Sequence, residues 1–164
     1  MIPVNYIVIG QPKAGSTWLH QMFLKHKQIF VIRHKQTYFF DRYFSRGTEW
    51  YFSQFKERKM EMVSGEICHN YIYSEDAATR ISETLSNNVK IIVVLRKPID
   101  WFISDYRYAL RNGTFKGELD DYFKAHLVEE MLDYTNLLSS YYSHFSNENI
   151  SCISTTCSSM PVIS

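Results

Sequence analysis

One stretch near the start of the chain constrains the fold more than any other: Tyr6-Ile7-Val8-Ile9-Gly10-Gln11-Pro12-Lys13-Ala14-Gly15-Ser16-Thr17-Trp18-Leu19. Its first four residues form an apolar run rich in β-branched side chains, the pattern of a strand buried in a sheet. Residues 10–15 are bounded by glycines and carry a lysine. From Ser16 the spacing turns helical, with Leu19, Met22 and Phe23 apolar and Trp18 beside them. A strand, a Gly-bounded loop and a helix start make a cradle for one anion, because loop amides and the positive end of the helix dipole point the same way. The plainer alternative is a strand-to-helix turn that holds a lysine and no ligand.

Which anion fits is decided by the lysine. A nucleoside-triphosphate loop reads G-x-x-x-x-G-K-[ST], its lysine reaching the β/γ-phosphates and its hydroxyl holding Mg²⁺. Gly10 and Gly15 have that separation, but Ser16 follows them and the lysine lies inside the loop as Lys13. This placement suits a terminal anion on a 5′-phosphate better than a metal-bridged polyphosphate. A second junction supports the reading. Lys90-Ile91-Ile92-Val93-Val94-Leu95 is another strand run, and Arg96-Lys97-Pro98 leads from it into a helix with the apolar stripe Ile99, Phe102, Ile103, Tyr106 and Leu110. Pro98 suits a first helical turn. Arg96 at the strand's end and Ser104 two turns into the helix form a second anion clamp. The alternative is a capping arginine and a solvated serine.

These segments resemble sulfotransferases. Pro12-Lys13-Ala14-Gly15-Ser16-Thr17-Trp18-Leu19 is similar to their 5′-phosphosulfate loop, and Arg96-Lys97-Pro98 through Ser104-Asp105-Tyr106 to their 3′-phosphate motif. Tyr38-Phe39-Phe40-Asp41, with Gly47, Trp50 and Tyr51, resembles the heparan-sulfate type, as do the segments Glu66 to Tyr71 and Ala77 to Ile81. The resemblance implies an α/β, three-layer, P-loop-like domain with a mostly parallel sheet flanked by helices. It implies transfer of a sulfuryl group from 3′-phosphoadenosine 5′-phosphosulfate (PAPS) to an acceptor hydroxyl or amine of a small molecule or glycan. No metal is expected. Lys13 would offset charge on the departing phosphate. The amides of Ala14, Gly15, Ser16, Thr17 and Trp18 would grip the 5′-phosphate, and Arg96 with Ser104 the 3′-phosphate.

One position departs from the family pattern. Where relatives often carry a glutamate that takes the acceptor's proton, this chain has Gln36. An amide can orient an acceptor but cannot deprotonate it. Glu66, read as a strand-end residue facing the cleft, is the expected catalytic carboxylate; His69 and His34 are the other candidates. Lys35 is either a second cation for the sulfuryl oxygens or a solvated side chain.

The remaining chain reads as βαβ units. Strands are expected at residues 29–32 and from Asn149. Helices are expected at 47–55, after Ser74 as N-cap, around Leu119, Tyr122 and Phe123, and from Glu130 to Phe145. After Ile153 the pattern dissolves into Ser154-Thr155-Thr156-Cys157-Ser158-Ser159-Met160. The expected organisation is therefore a sulfotransferase-like domain over 1–150 and a divergent tail over 151–164, as in a truncated enzyme with an open sheet edge. A non-catalytic nucleotide-binding remnant and a P-loop kinase or NTPase are the rival readings. A net charge of +1 gives no warrant for nucleic-acid binding. No signal peptide before the first strand and no membrane-length apolar run point to a cytoplasmic protein, or to a chain trimmed of its anchor, and three cysteines without metal-ligand spacing read as reduced thiols. Oligomeric state leaves no mark in the sequence.

Overall fold

The computed structural model describes residues 4–59, 63–126 and 133–155. Five parallel strands form one sheet: β1 (Tyr6–Gly10), β2 (Ile29–Val31), β3 (Val63–Ile67), β4 (Lys90–Arg96) and β5 (Ile150–Thr155), in the order β2-β3-β1-β4-β5. Among the described residues lie the α-helices α1 (Ser16–Lys25), α2 (Thr48–Ser53), α3 (Ala77–Leu85), α4 (Pro98–Arg111), α5 (Leu119–His126) and α6 (Tyr134–His144). The alternation of strand and helix makes every ladder parallel.

Central β1 is buried along its whole length, and its period of two sorts the core into layers. Ile7 and Ile9 face a cluster built from Phe39, Phe40, Tyr51, the α3 stripe Ala77, Ala78, Ile81 and Leu85, and the α6 residues Leu138 and Tyr141. Tyr6 and Val8 face the opposite way, toward Leu19 and Phe23 of α1. The three-layer expectation holds. Gly10 closes β1 where it meets β4. Its φ is 145°, and a Cβ there would lie 2.0 Å from the Val94 carbonyl oxygen, so only glycine permits this close approach.

Several local expectations shift. α3 begins at Ala77 with Asp76 as N-cap and no side-chain capping bond; Ser74 closes the preceding turn through its backbone carbonyl instead. β2 ends at Val31 and the 47–55 helix shrinks to α2. On α4 the buried residues are Trp101, Phe102 and Ala109, whereas Ile99 is 75% exposed and Leu110 is exposed too. The cause is α5, whose Tyr122 packs on Phe102 and turns that face inward. β5 runs to Thr155 and pairs with Arg96, past the point where the sequence pattern dissolves. The start of the 130–145 helix, Cys157 and the tail from Thr156 to Met160 lie outside the described residues. No helix among the described residues is long and apolar enough to cross a membrane.

Candidate functional site

The β1–α1 loop is shaped from behind. Three of its consecutive carbonyls are taken by side chains distant in sequence: Trp101 Nε1 donates to Pro12 O at 2.8 Å, Arg96 Nη1 to Lys13 O at 3.0 Å, and Thr155 Oγ1 to Ala14 O at 3.0 Å. Gln11 braces the base of the loop. Its Oε1 accepts from the Arg96 amide at 3.2 Å and from the Tyr134 hydroxyl at 3.0 Å. Gly15, with φ 98°, turns the chain into α1. The amides of Ser16, Thr17 and Trp18 therefore head the helix without intrahelical acceptors, an arrangement that suits an anion. The Ala14 amide, expected in the same grip, donates to the Gln11 carbonyl at 3.3 Å.

Lys13, Gly15, Ser16, Thr17, Trp18, Arg96 and Ser104 line one cavity of about 610 Å³, which Lys35, His69, Asp105 and Tyr108 complete. The two βα junctions thus meet at a single pocket at the carboxyl ends of adjacent strands, where open α/β sheets bind ligands. Lys13 adopts a left-handed backbone, φ 63°, and its ammonium lies over the Tyr108 ring, 2.8 Å from the centroid. Burial lowers its pKa; Asp105 opposes that and Arg111 adds to it. Lys35 donates to Thr17 Oγ1 at 2.8 Å, and burial lowers its pKa as well. Lys35 is thus a second cation of the pocket.

His69 and Gln36 face each other beside these cations. Gln36, itself at φ 70°, has its side-chain amide hydrogen-bonded to His69 Nδ1 and to the Tyr38 hydroxyl. Burial first, then Lys35 and Lys13, brings the His69 pKa down to about 4, so the imidazole is neutral at physiological pH. His34 is exposed and lines a different cavity with Arg33 and Lys56; it is not part of the site.

Glu66 corrects the sequence expectation. It is 1% exposed and does not line the cavity. Thr37 Oγ1 donates to its Oε2 at 2.6 Å and the Tyr71 hydroxyl to its Oε1 at 3.1 Å. The Tyr51 hydroxyl is buried near the same carboxyl. Burial pushes the Glu66 pKa up to about 7 against these donors, Thr37 foremost. Tyr71 also accepts from the Phe40 amide at 3.2 Å, and Phe39 N donates to Thr37 Oγ1 at 3.2 Å. The carboxyl therefore anchors the loop carrying Lys35 and Gln36 from beneath.

Trp101, Asp105 and Tyr108 had not been singled out as site residues. A signal for two of them exists: Trp101 and Tyr108 lie three residues before and four after Ser104, on the same helical face.

Residues 3–150 match the sulfotransferase domain family. Among similar proteins, the membrane-associated sulfotransferase kil1 of Dictyostelium discoideum is 34% identical over 136 residues, covering 79% of this chain and 28% of that protein. The human heparan sulfate glucosamine 3-O-sulfotransferase 3B1 is 31% identical over 104 residues, covering 63% of this chain and 26% of its own length. The chain thus spans little more than a quarter of these relatives. In fold it is similar to a sulfotransferase from Alicyclobacillus acidocaldarius, with TM-score 0.75, 19% identity and coverage of 92% and 72% of the two chains. A mouse sulfotransferase solved with PAP, SULT7A1, gives TM-score 0.52 at 18% identity, covering 92% and 51%.

Proposed function

The chain belongs to the sulfotransferase domain family, and on that premise we propose that it transfers the sulfuryl group of PAPS to a hydroxyl or amine of a small-molecule or glycan acceptor. The observation that carries the reading is the single cavity where Lys13, Lys35, Arg96, Ser104 and the start of α1 converge. Such a pocket suits a ligand with anionic groups at two ends. The amides of Ser16, Thr17 and Trp18 bind the 5′-phosphate, and Arg96 with Ser104 the 3′-phosphate, which distinguishes this donor from ATP. Lys13 lies on the bridging oxygen and Lys35 on the sulfuryl oxygens.

In the transfer, the acceptor oxygen forms a bond to sulfur while the bond from sulfur to the phosphate oxygen breaks. The electron pair leaves with the 5′-phosphate, whose charge Lys13 offsets. The acceptor's proton goes to the His69 imidazole, the neutral base beside the two lysines. Gln36 holds that ring. The Gln36 NH₂ lies against Nδ1 and its oxygen accepts from the Tyr38 hydroxyl; turning the amide over exchanges the two, so that the oxygen meets Nδ1–H and Nε2 is left as the proton acceptor. The donor's negative charge offsets the part of the lowering that Lys35 and Lys13 impose on the imidazole and leaves the larger part, which comes from burial. Glu66 contributes by positioning, through Thr37 and Tyr71.

Lys13→Ala tests the reading. Transfer of labelled sulfate from PAPS falls by roughly 10²-fold or more, with far-UV circular dichroism unchanged. Normal transfer by this variant overturns the mechanism, and Mg²⁺-dependent ATP turnover in place of sulfate transfer overturns the function. Cytoplasmic residence belongs to the same proposal. It is supported by the unpaired Cys68 and Cys152, and fractionation against membrane markers tests it.

A further inference from the structure

We propose that a second cavity, at the other end of the short 3-10 helix His69–Tyr73 from the donor pocket, is the acceptor subsite, and that it takes an uncharged or amine-bearing saccharide instead of a sulfated one. The inference rests on the sulfuryl-transfer reading above.

The two cavities share their framework. The 3-10 helix places His69 in the donor pocket and Tyr73 in the second cavity, whose volume is about 590 Å³. That size lies within the usual range for small-ligand sites. The other wall is α6, whose first residue, Tyr134, donates to the Arg96 carbonyl at 2.7 Å. Burial first, then Tyr134 and Asp105 of the donor pocket, pushes the pKa of the Tyr73 hydroxyl up. It is buried without a hydrogen-bond partner among the described residues, an unmet polar group at the boundary between the cavities.

The lining states the chemistry. Tyr73, Ser74, Ser139 and Ser140 bring hydroxyls, Asn136 an amide and Glu75 a carboxylate. Ile72 and Leu137 supply apolar surface suited to a sugar face. Among the described residues the lining has no lysine or arginine. Arg80 in α3 is committed to Asp76 at 2.6 Å and to the Phe40 and Asp41 carbonyls. A sulfated acceptor would bring anions to a wall whose only charge is negative. Such a mismatch rejects a ligand more strongly than a missing contact does. A hydroxyl or amine of a neutral or cationic saccharide meets no such penalty.

The test uses chitosan trisaccharide, chitotriose and a heparin tetrasaccharide as acceptors with labelled PAPS. The wild type sulfates the two unsulfated probes in preference to the heparin fragment. Ser139→Trp, at an exposed α6 position facing the cavity, raises KM for chitosan trisaccharide at least about tenfold, equivalent to 1.4 kcal/mol, with PAP affinity unchanged by calorimetry. Glu75→Lys shifts the preference toward the heparin fragment. Unchanged acceptor KM in both variants, or a wild type that prefers heparin, overturns the proposal. Loss of PAP binding in the wild type removes the parent reading instead. Saturation-transfer NMR of chitosan trisaccharide on the same proteins then still decides whether this cavity holds saccharide.

Discussion

Replacing Glu66 with glutamine isolates the cost of a buried carboxyl. Its ordinary pKa of 4.5 rises to about 7 in the fold because burial disfavours the charged form. A raised acid pKa means that the folded state holds its proton after the unfolded chain has released one. Stability is therefore lost as pH rises from about 4.5 to about 7, and the loss is constant above that. Roughly 2.5 pH units at about 1.4 kcal/mol each give on the order of 3 kcal/mol. His69 works in the opposite sense: its depressed pKa makes stability rise with pH between about 4 and its usual 6.5. The raw pH profile of the wild type thus mixes two opposing trends, while the difference between Glu66→Gln and wild type removes the histidine. The amide keeps an acceptor for Thr37 and can donate to Tyr71, so the packing is preserved. Urea unfolding of both proteins from pH 4.5 to 8 should show the variant gaining on the wild type by about 3 kcal/mol, with the gap flat above pH 7.5. A gap that does not change with pH refutes the assignment of a protonated, buried Glu66.

Two further outcomes follow from the site. Gln36→Glu sets a carboxylate against the His69 ring; it raises the imidazole pKa by roughly 1–3 units, visible as an upward shift of the titrating ring protons in NMR and of the acid limb of the transfer rate. Gly10→Ala, whose Cβ would sit 2.0 Å from the Val94 carbonyl oxygen, forces β1 and β4 apart, and thermal unfolding should show a loss of several kcal/mol; a variant as stable as wild type contradicts the close approach.

Lys13, Arg96 and Ser104 were legible in the sequence because each belongs to a local strand-to-helix junction, where spacing alone sets the geometry. Their meeting in one pocket follows from β1 and β4 being sheet neighbours. Glu66 was misplaced because its surroundings, Thr37 and Tyr71, arrive from separate segments, so no local pattern distinguishes a cleft carboxylate from a buried one. The face of α4 was misread for a different reason. Its apolar residues run nearly all round, and only α5 and the bond from Trp101 to the Pro12 carbonyl choose which side turns inward. The positive φ angles of Lys13, Gln36 and Tyr38 were also invisible. No residue type demands them, and they persist because the surrounding contacts hold them.

The three carbonyls pinned by Trp101, Arg96 and Thr155 have a kinetic implication. A loop whose backbone is already set presents a finished receptor, so little chain ordering accompanies capture of the nucleotide. Arrival is then governed by diffusion and by the attraction of the lysines for a polyanion, and the association rate constant should fall with added salt more than the dissociation rate constant changes. Cutting any one of the three tethers slackens the receptor, and the penalty falls on capture of the donor even though none of those bonds touches it directly.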